Sequence, residues 1–235
     1  HESKYPKLLK KPVTELCLNC HNESQERSDG TRVPALGEQL AKSSHLHGPI
    51  LEGDCTGCHD PHGRDTPKNL KENYTDRFFA PYDAQNFKLC FKCHEQDVFE
   101  TKKTESMTRF RNGDTNLHFI HVNDGVKGRT CRVCHETHGS SIVNHLRENV
   151  PYAAWELQVN YKKEERGGSC APGCHVKREY DRVEAKPVAR PEETDPGKVG
   201  WPDKDGRKPQ PSKKESAKKS EKKGTPETVA EEQTQ

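Results

Sequence analysis

The chain has 235 residues, of which 29% are hydrophobic and 32% charged, with a mean hydropathy of −1.16 and a formal net charge of +2. So little apolar side chain cannot offset the conformational entropy of ordering such a length, which excludes an ordinary domain built around its own core. The near balance of charge gives no steer toward nucleic acid or an anionic membrane, and no apolar run approaches the ~20 residues of a membrane-spanning helix.

In chain order, five cysteine pairs use all ten cysteines, and a histidine follows each pair. Four are C-x-x-C-H: Cys17, Cys20 and His21; Cys55, Cys58 and His59; Cys90, Cys93 and His94; Cys131, Cys134 and His135. The fifth has one extra residue: Cys170, Cys174 and His175. A zinc knuckle, a redox dithiol or a disulfide would need the cysteines but not the histidine directly after them. The pattern reads as covalent attachment of c-type haem, two thiols bonding the porphyrin and the histidine ligating iron. Five haem c groups would then supply the apolar mass that the side chains lack, and folding would depend on them.

Successive first cysteines are spaced by 38, 35, 41 and 39 residues, and above this lies a longer repeat. Unit 1 spans 12–73 and unit 2 spans 85–149, each with a first motif, a middle histidine and a second motif of the form C-x-x-C-H-x-x-H-G. The segment Asn69-Leu70-Lys71-Glu72-Asn73 matches His145-Leu146-Arg147-Glu148-Asn149. Duplication is the simplest account. A fifth haem site occupies 150–180, within a cytochrome domain expected to span 1–180. The fold class expected is a haem-cored, mostly irregular chain with short helices and few strands. Each motif should sit on about one helical turn, and the Gly, Pro, Asn, Asp and Ser between motifs favour turns. Alternation of Trp155, Leu157, Val159 and Tyr161 with polar residues predicts one strand over 154–162, needing a neighbour to pair with. The Pro/Lys/Glu-rich segment 181–235 predicts a disordered or surface-draped tail, dispensable for haem binding from about Tyr180 onward.

The pairing of C-x-x-C-H with C-x-x-C-H-x-x-H-G resembles the doubled-CxxCH family of multihaem cytochromes, over roughly residues 12–178. The resemblance implies bis-histidine haems carrying electrons to redox partner proteins or extracellular acceptors in anaerobic respiration. Histidine supply agrees: thirteen minus five proximal leaves eight, against a single methionine, Met107. The repeat matches His47 with His121 and His62 with His138, and His145 stands where unit 1 has Asn69. These five are the expected distal ligands, with His1, His45 and His118 left over. Haem c chemistry places the protein in the periplasm or outside the cell, and a start at His1 suggests a removed signal peptide. An enzyme reading needs an open iron, and no motif carries the C-x-x-C-K of pentahaem nitrite reductases. A filament-forming extracellular cytochrome, with contacts between copies, is the alternative within the electron-transfer class.

Overall fold

The computed structural model describes residues 2–187; His1 and most of the segment expected to be a tail lie outside the described residues. Helices are α1 (Val13–His21), α2 (Leu36–Lys42), α3 (Gly48–Leu51), α4 (Lys88–Phe91), α5 (Asp97–Glu100), α6 (Leu117–Val122) and α7 (Cys131–Cys134). Strands are two to four residues long and join in small antiparallel ribbons. The sparse regular structure expected from the turn-rich sequence is therefore what forms. Among the described residues no helix is long and apolar enough to cross a membrane.

Helical turns form at the motifs because a backbone bond closes each one. The amide of His59 donates to Cys55 O at 3.1 Å, His94 to Cys90 O at 2.9 Å, and His135 to Cys131 O at 3.0 Å. The first motif completes α1. With its extra residue the fifth closes differently, the His175 amide donating to Pro172 O at 3.2 Å.

The duplication seen in sequence is also a duplication of geometry. After each second motif the chain makes a tight turn with two successive left-handed residues. These are Lys68 (φ 59°) and Asn69 (φ 54°) in unit 1, and Asn144 (φ 58°) and His145 (φ 55°) in unit 2. Each turn folds back on its motif by the same bonds: Asp60 N to Asn69 O at 2.8 Å and Lys71 N to Cys58 O at 2.8 Å, then Glu136 N to His145 O at 2.7 Å and Arg147 N to Cys134 O at 2.9 Å. The two units interlock, because His45–Leu46 pairs antiparallel with Gly139–Ser140 and the His47 amide donates to His138 O at 3.0 Å.

Residues 149–181 hold the longest strands. Asn149–Tyr152 pairs with Trp155–Gln158, so the expected strand over 154–162 exists but is shorter and takes the segment just before it as partner. Asn160, at φ 48°, ends the extended run. Lys162–Lys163, Gly167–Cys170 and Arg178–Asp181 then make a three-stranded sheet. Gly167 is required there, because a Cβ would stand 1.8 Å from Tyr180 O.

The boundary expected at 180 falls inside the strand Arg178–Asp181, whose Tyr180 and Asp181 are buried. Asn112 holds the chain beyond it: its Oδ1 accepts from Asp181 N at 3.2 Å and Lys186 N at 2.8 Å, and its Nδ2 donates to Lys186 O at 2.8 Å. Arg111 Nη1 donates to Arg182 O at 2.6 Å. Composition marked the change of character but not these distant partners, so the folded part continues past the expected boundary at least to Lys186.

Eight hydrophobic side chains are buried among the described residues, too few to order a domain by themselves. They form one cluster around Tyr74, Phe87 and Val122 and another around Val133, Val150 and Val159, each touching motif cysteines. Residues 2–73 contain no buried residue. A chain ended at Tyr180 should therefore melt several degrees below one ended at Pro187, since each lost hydrogen bond is worth about 1 kcal/mol and each kcal/mol moves the midpoint by roughly 2–4 °C. Equal midpoints in thermal unfolding would show that residues 181–187 add nothing.

Candidate haem-binding sites

All ten cysteines are free, and their neighbours run in the order of the sequence. The Cys17 and Cys55 thiols hydrogen-bond each other, and burial followed by that contact pushes Cys55 up to about 11. Cys58 is raised by burial and then by Cys90 and Cys93. Cys90 and Cys131 share a hydrogen bond that lowers the first and raises the second. Burial pushes Cys134 up to about 11, with smaller contributions from Cys170 and Cys174. Motifs one to five are thus consecutive in space as well as in sequence. Among the described residues no group of three His, Cys, Asp or Glu converges on a point that would hold a bare metal ion.

Histidines meet in pairs instead. The rings of His47 and His94 have centroids 6.1 Å apart with planes 6° from parallel. Those of His59 and His138 are 6.2 Å apart, inclined by 22°. An axial imidazole nitrogen sits about 2 Å from its metal and the ring centre about 1 Å further back, so two rings sharing one metal axis stand roughly 6 Å apart. Two nitrogens cannot satisfy a bare ion, but a porphyrin supplies the other four. Both pairs join the histidine of a cysteine motif in one unit to a histidine of the other.

The other expected distal ligands divide. His121 is half-buried; burial first, and the charge of His175 among later causes, lower its basicity. His62 is 94% exposed in its side chain, with only Asp60 Oδ1 near its Nδ1, at 3.9 Å. His145 lies edge-on to His47 at 5.6 Å and has a buried Nδ1 without a partner. It directly follows Asn144, whose carbonyl accepts from His135 Nδ1 at 2.9 Å, so its backbone lies on the side of that ring opposite Nε2.

His118 is the histidine that the repeat left over. It is half-buried between the edges of Phe99 and Phe110. Burial, then the charge of His135, then that of His121 lower it to about 4. His135 therefore weighs on it more than His121, three residues along α6. The i, i+3 spacing of His118 and His121 after Asn116 was the available sequence signal, since it puts both on one helix face.

Nδ1 is occupied on these rings in a way that leaves Nε2 for a metal. His59 Nδ1 donates to Lys68 O at 2.9 Å, His175 to Val176 O at 2.7 Å and His121 to Leu117 O at 2.7 Å, as His135 does to Asn144 O. Thr108 Oγ1 pairs with His118 Nδ1 at 3.0 Å. Such partners fix the tautomer and the ring orientation of a metal-ligating histidine. Burial also lowers the basicity of His138, to about 4, so that this imidazole is neutral and able to ligate.

The family model of the doubled CXXCH motif matches residues 1–26 and 47–99, which contain the first three motifs. The match covers about a third of the chain, so this part carries a doubled CXXCH motif. Neither the curated proteins nor the solved structures give a match.

Asn116, 0% exposed, is the residue on which two of these histidines depend. Its Oδ1 accepts from the His118 and Phe119 amides at 3.0 and 3.4 Å, capping α6, while its Nδ2 donates to Val98 O at 2.7 Å and Thr101 O at 2.8 Å. Asn116→Ala should cost about 2–4 kcal/mol, because it removes a cap and strands buried carbonyls. It should also lower the low-spin haem fraction in the ferric spectrum. An unchanged midpoint and spectrum would show that α6 is positioned otherwise.

Proposed function

We propose that the chain is an electron-transfer cytochrome carrying five c-type haems, mostly or all bis-histidine, in the order of its motifs. The paired imidazoles carry this reading: His94 with His47 at 6.1 Å and His59 with His138 at 6.2 Å, each bringing the histidine of one motif to a second imidazole from the other unit. Haems held by imidazoles shared between the units would be close neighbours, which is what electron hopping needs. When bound, the haems supply the reversible ferric–ferrous couple. The chain holds each by two sulfurs, turns the proximal imidazole by a carbonyl at its Nδ1, and offers a second imidazole from another segment. The pairs supported are His59 with His138, His94 with His47, His135 with His118 and His175 with His121. His118 thus takes the role first assigned to His145. The buried Nε of Arg132, without a partner among protein groups, suits a haem carboxylate. A periplasmic or extracellular setting follows from the chemistry of haem c attachment, and redox proteins or extracellular acceptors are the partners proposed.

Intact mass and a pyridine haemochrome assay should count five haems; four, with free thiols at Cys170 and Cys174, would remove the longer motif from the array. His118→Ala should turn one further haem high-spin in the ferric spectrum, while His145→Ala should leave the low-spin count unchanged. The reverse result would restore His145 as the ligand. Nitrite turnover at an enzymatic rate would favour a reductase over a carrier.

A further inference from the structure

The two-haem units exchange histidines in a fixed direction. His47, the middle histidine of unit 1, stands 6.1 Å from His94 in the first motif of unit 2. In the other direction, His138 of unit 2 stands 6.2 Å from His59 in the second motif of unit 1. Middle histidines therefore go forward to the next first motif, and H-x-x-H-G histidines go back to the previous second motif.

Carried to the start of unit 1, this rule leaves His21 in need of a middle histidine from a preceding unit, and His62 in need of a preceding second motif. Among the described residues neither ring pairs with another histidine, and the His62 side chain is 94% exposed. The strand pairing that couples the units is missing at the same place: Gly139–Ser140 pairs with His45–Leu46, but the matching Gly63-Arg64 has no strand partner among the described residues.

Ser3–Leu9 is a third copy of the turn that follows a second motif. Lys7 and Leu8 are both left-handed at φ 57°, and Leu9 N donates to Pro6 O at 3.3 Å, as Leu70 N does to Pro67 O at 3.3 Å and Leu146 N to Val143 O at 3.4 Å. Ser3 Oγ donates to Leu9 O just as Thr66 Oγ1 does to Leu70 O and Ser140 Oγ to Leu146 O. In the other two copies the middle carbonyl, Lys68 O or Asn144 O, receives Nδ1 of a second-motif histidine. Lys7 O has no such histidine among the described residues. Around this turn apolar side chains face outward: Leu8 is 66% exposed and Leu16 36%, whereas Leu89, the counterpart of Leu16 before the first cysteine, packs in the core.

We infer that the face formed by Ser3–Leu9, α1 and His62 receives a further two-haem unit of this same repeat, which gives a histidine to the His21 iron and takes His62 on its own second-motif iron. The inference rests on the five-haem reading. The far end of the chain cannot fill this role, because no histidine follows His175 and the histidines facing the fifth site are already matched.

Two measurements test it. In the dilute ferric protein, electron paramagnetic resonance should show one high-spin haem of five, which free imidazole converts to low-spin at one equivalent. His62→Ala should change neither the signal nor the stoichiometry. Five low-spin haems, or a new high-spin haem in His62→Ala or His45→Ala, would mean that the first iron is filled from within and would overturn the inference. Fewer than five haems by haemochrome would instead overturn the reading beneath it.

The second measurement supplies the missing unit. Leu70 corresponds to Leu9, so residues 1–70 followed by 10–235 place a copy of unit 1 in register ahead of the chain. The duplicated protein should still show a single high-spin haem, now at its new first motif. His62→Ala in the downstream copy should then create a second one. No effect of that substitution in a folded duplicate would overturn the exchange.

Discussion

Imidazole pairs about 6 Å apart are the constraint from which the rest of the architecture follows. His47 and His94 are 47 positions apart in sequence (94 − 47), and His59 and His138 are 79 apart (138 − 59). A metal shared by such a pair closes a long loop, and closure of long loops removes the most freedom from the unfolded chain. Two thioether bonds beside each proximal histidine would add a covalent restraint. A sequence with so few buried apolar side chains needs restraint of this kind. The small strands accompany it: His45–Leu46 meets Gly139–Ser140 beside the histidines that the two units bring together.

The repeated left-handed turn shows where backbone energy is spent. Two consecutive non-glycine residues in that region are unfavourable by roughly 1–2 kcal/mol each. A free loop would avoid the cost, yet it recurs at Lys7-Leu8, Lys68-Asn69 and Asn144-His145. In the latter two the turn brings a carbonyl to Nδ1 of His59 or His135 at 2.9 Å. With Nδ1 donating, Nε2 is the free nitrogen and the ring cannot rotate away, so the strain is stored where it orients a ligand.

Much of this was legible in the sequence because it is local. The motifs, their helical turns and the match between Asn69 and His145 need only spacing, and the turns superpose in their dihedral angles as the sequence match implies. What was not legible depends on contacts between distant segments. Residues 181–187 have the composition of a tail, yet Asn112 binds them with both ends of its amide. Distances along the chain separate His118 from His121, but α6 presents residues i and i+3 together. His62 and His138 are equivalent in sequence and differ in surroundings, because His138 meets His59 of the other unit and His62 meets no histidine among the described residues.

That difference runs through the whole molecule. At one end Gly167–Cys170 is covered on both edges by neighbouring strands, Tyr180 is buried against Phe110, and Arg166 pairs with the largely buried Asp181 at 3.2 Å. At the other end no residue before Tyr74 is buried, although unit 1 has the same motifs and the same turn as unit 2. The two units have equivalent sequences, so propensity cannot explain the contrast; neighbours can. Unit 2 packs against unit 1 on one side and the three-stranded sheet on the other. Among the described residues unit 1 has unit 2 as its neighbour on one side alone, and a repeat unit cannot bury its own surface without a neighbour on each side.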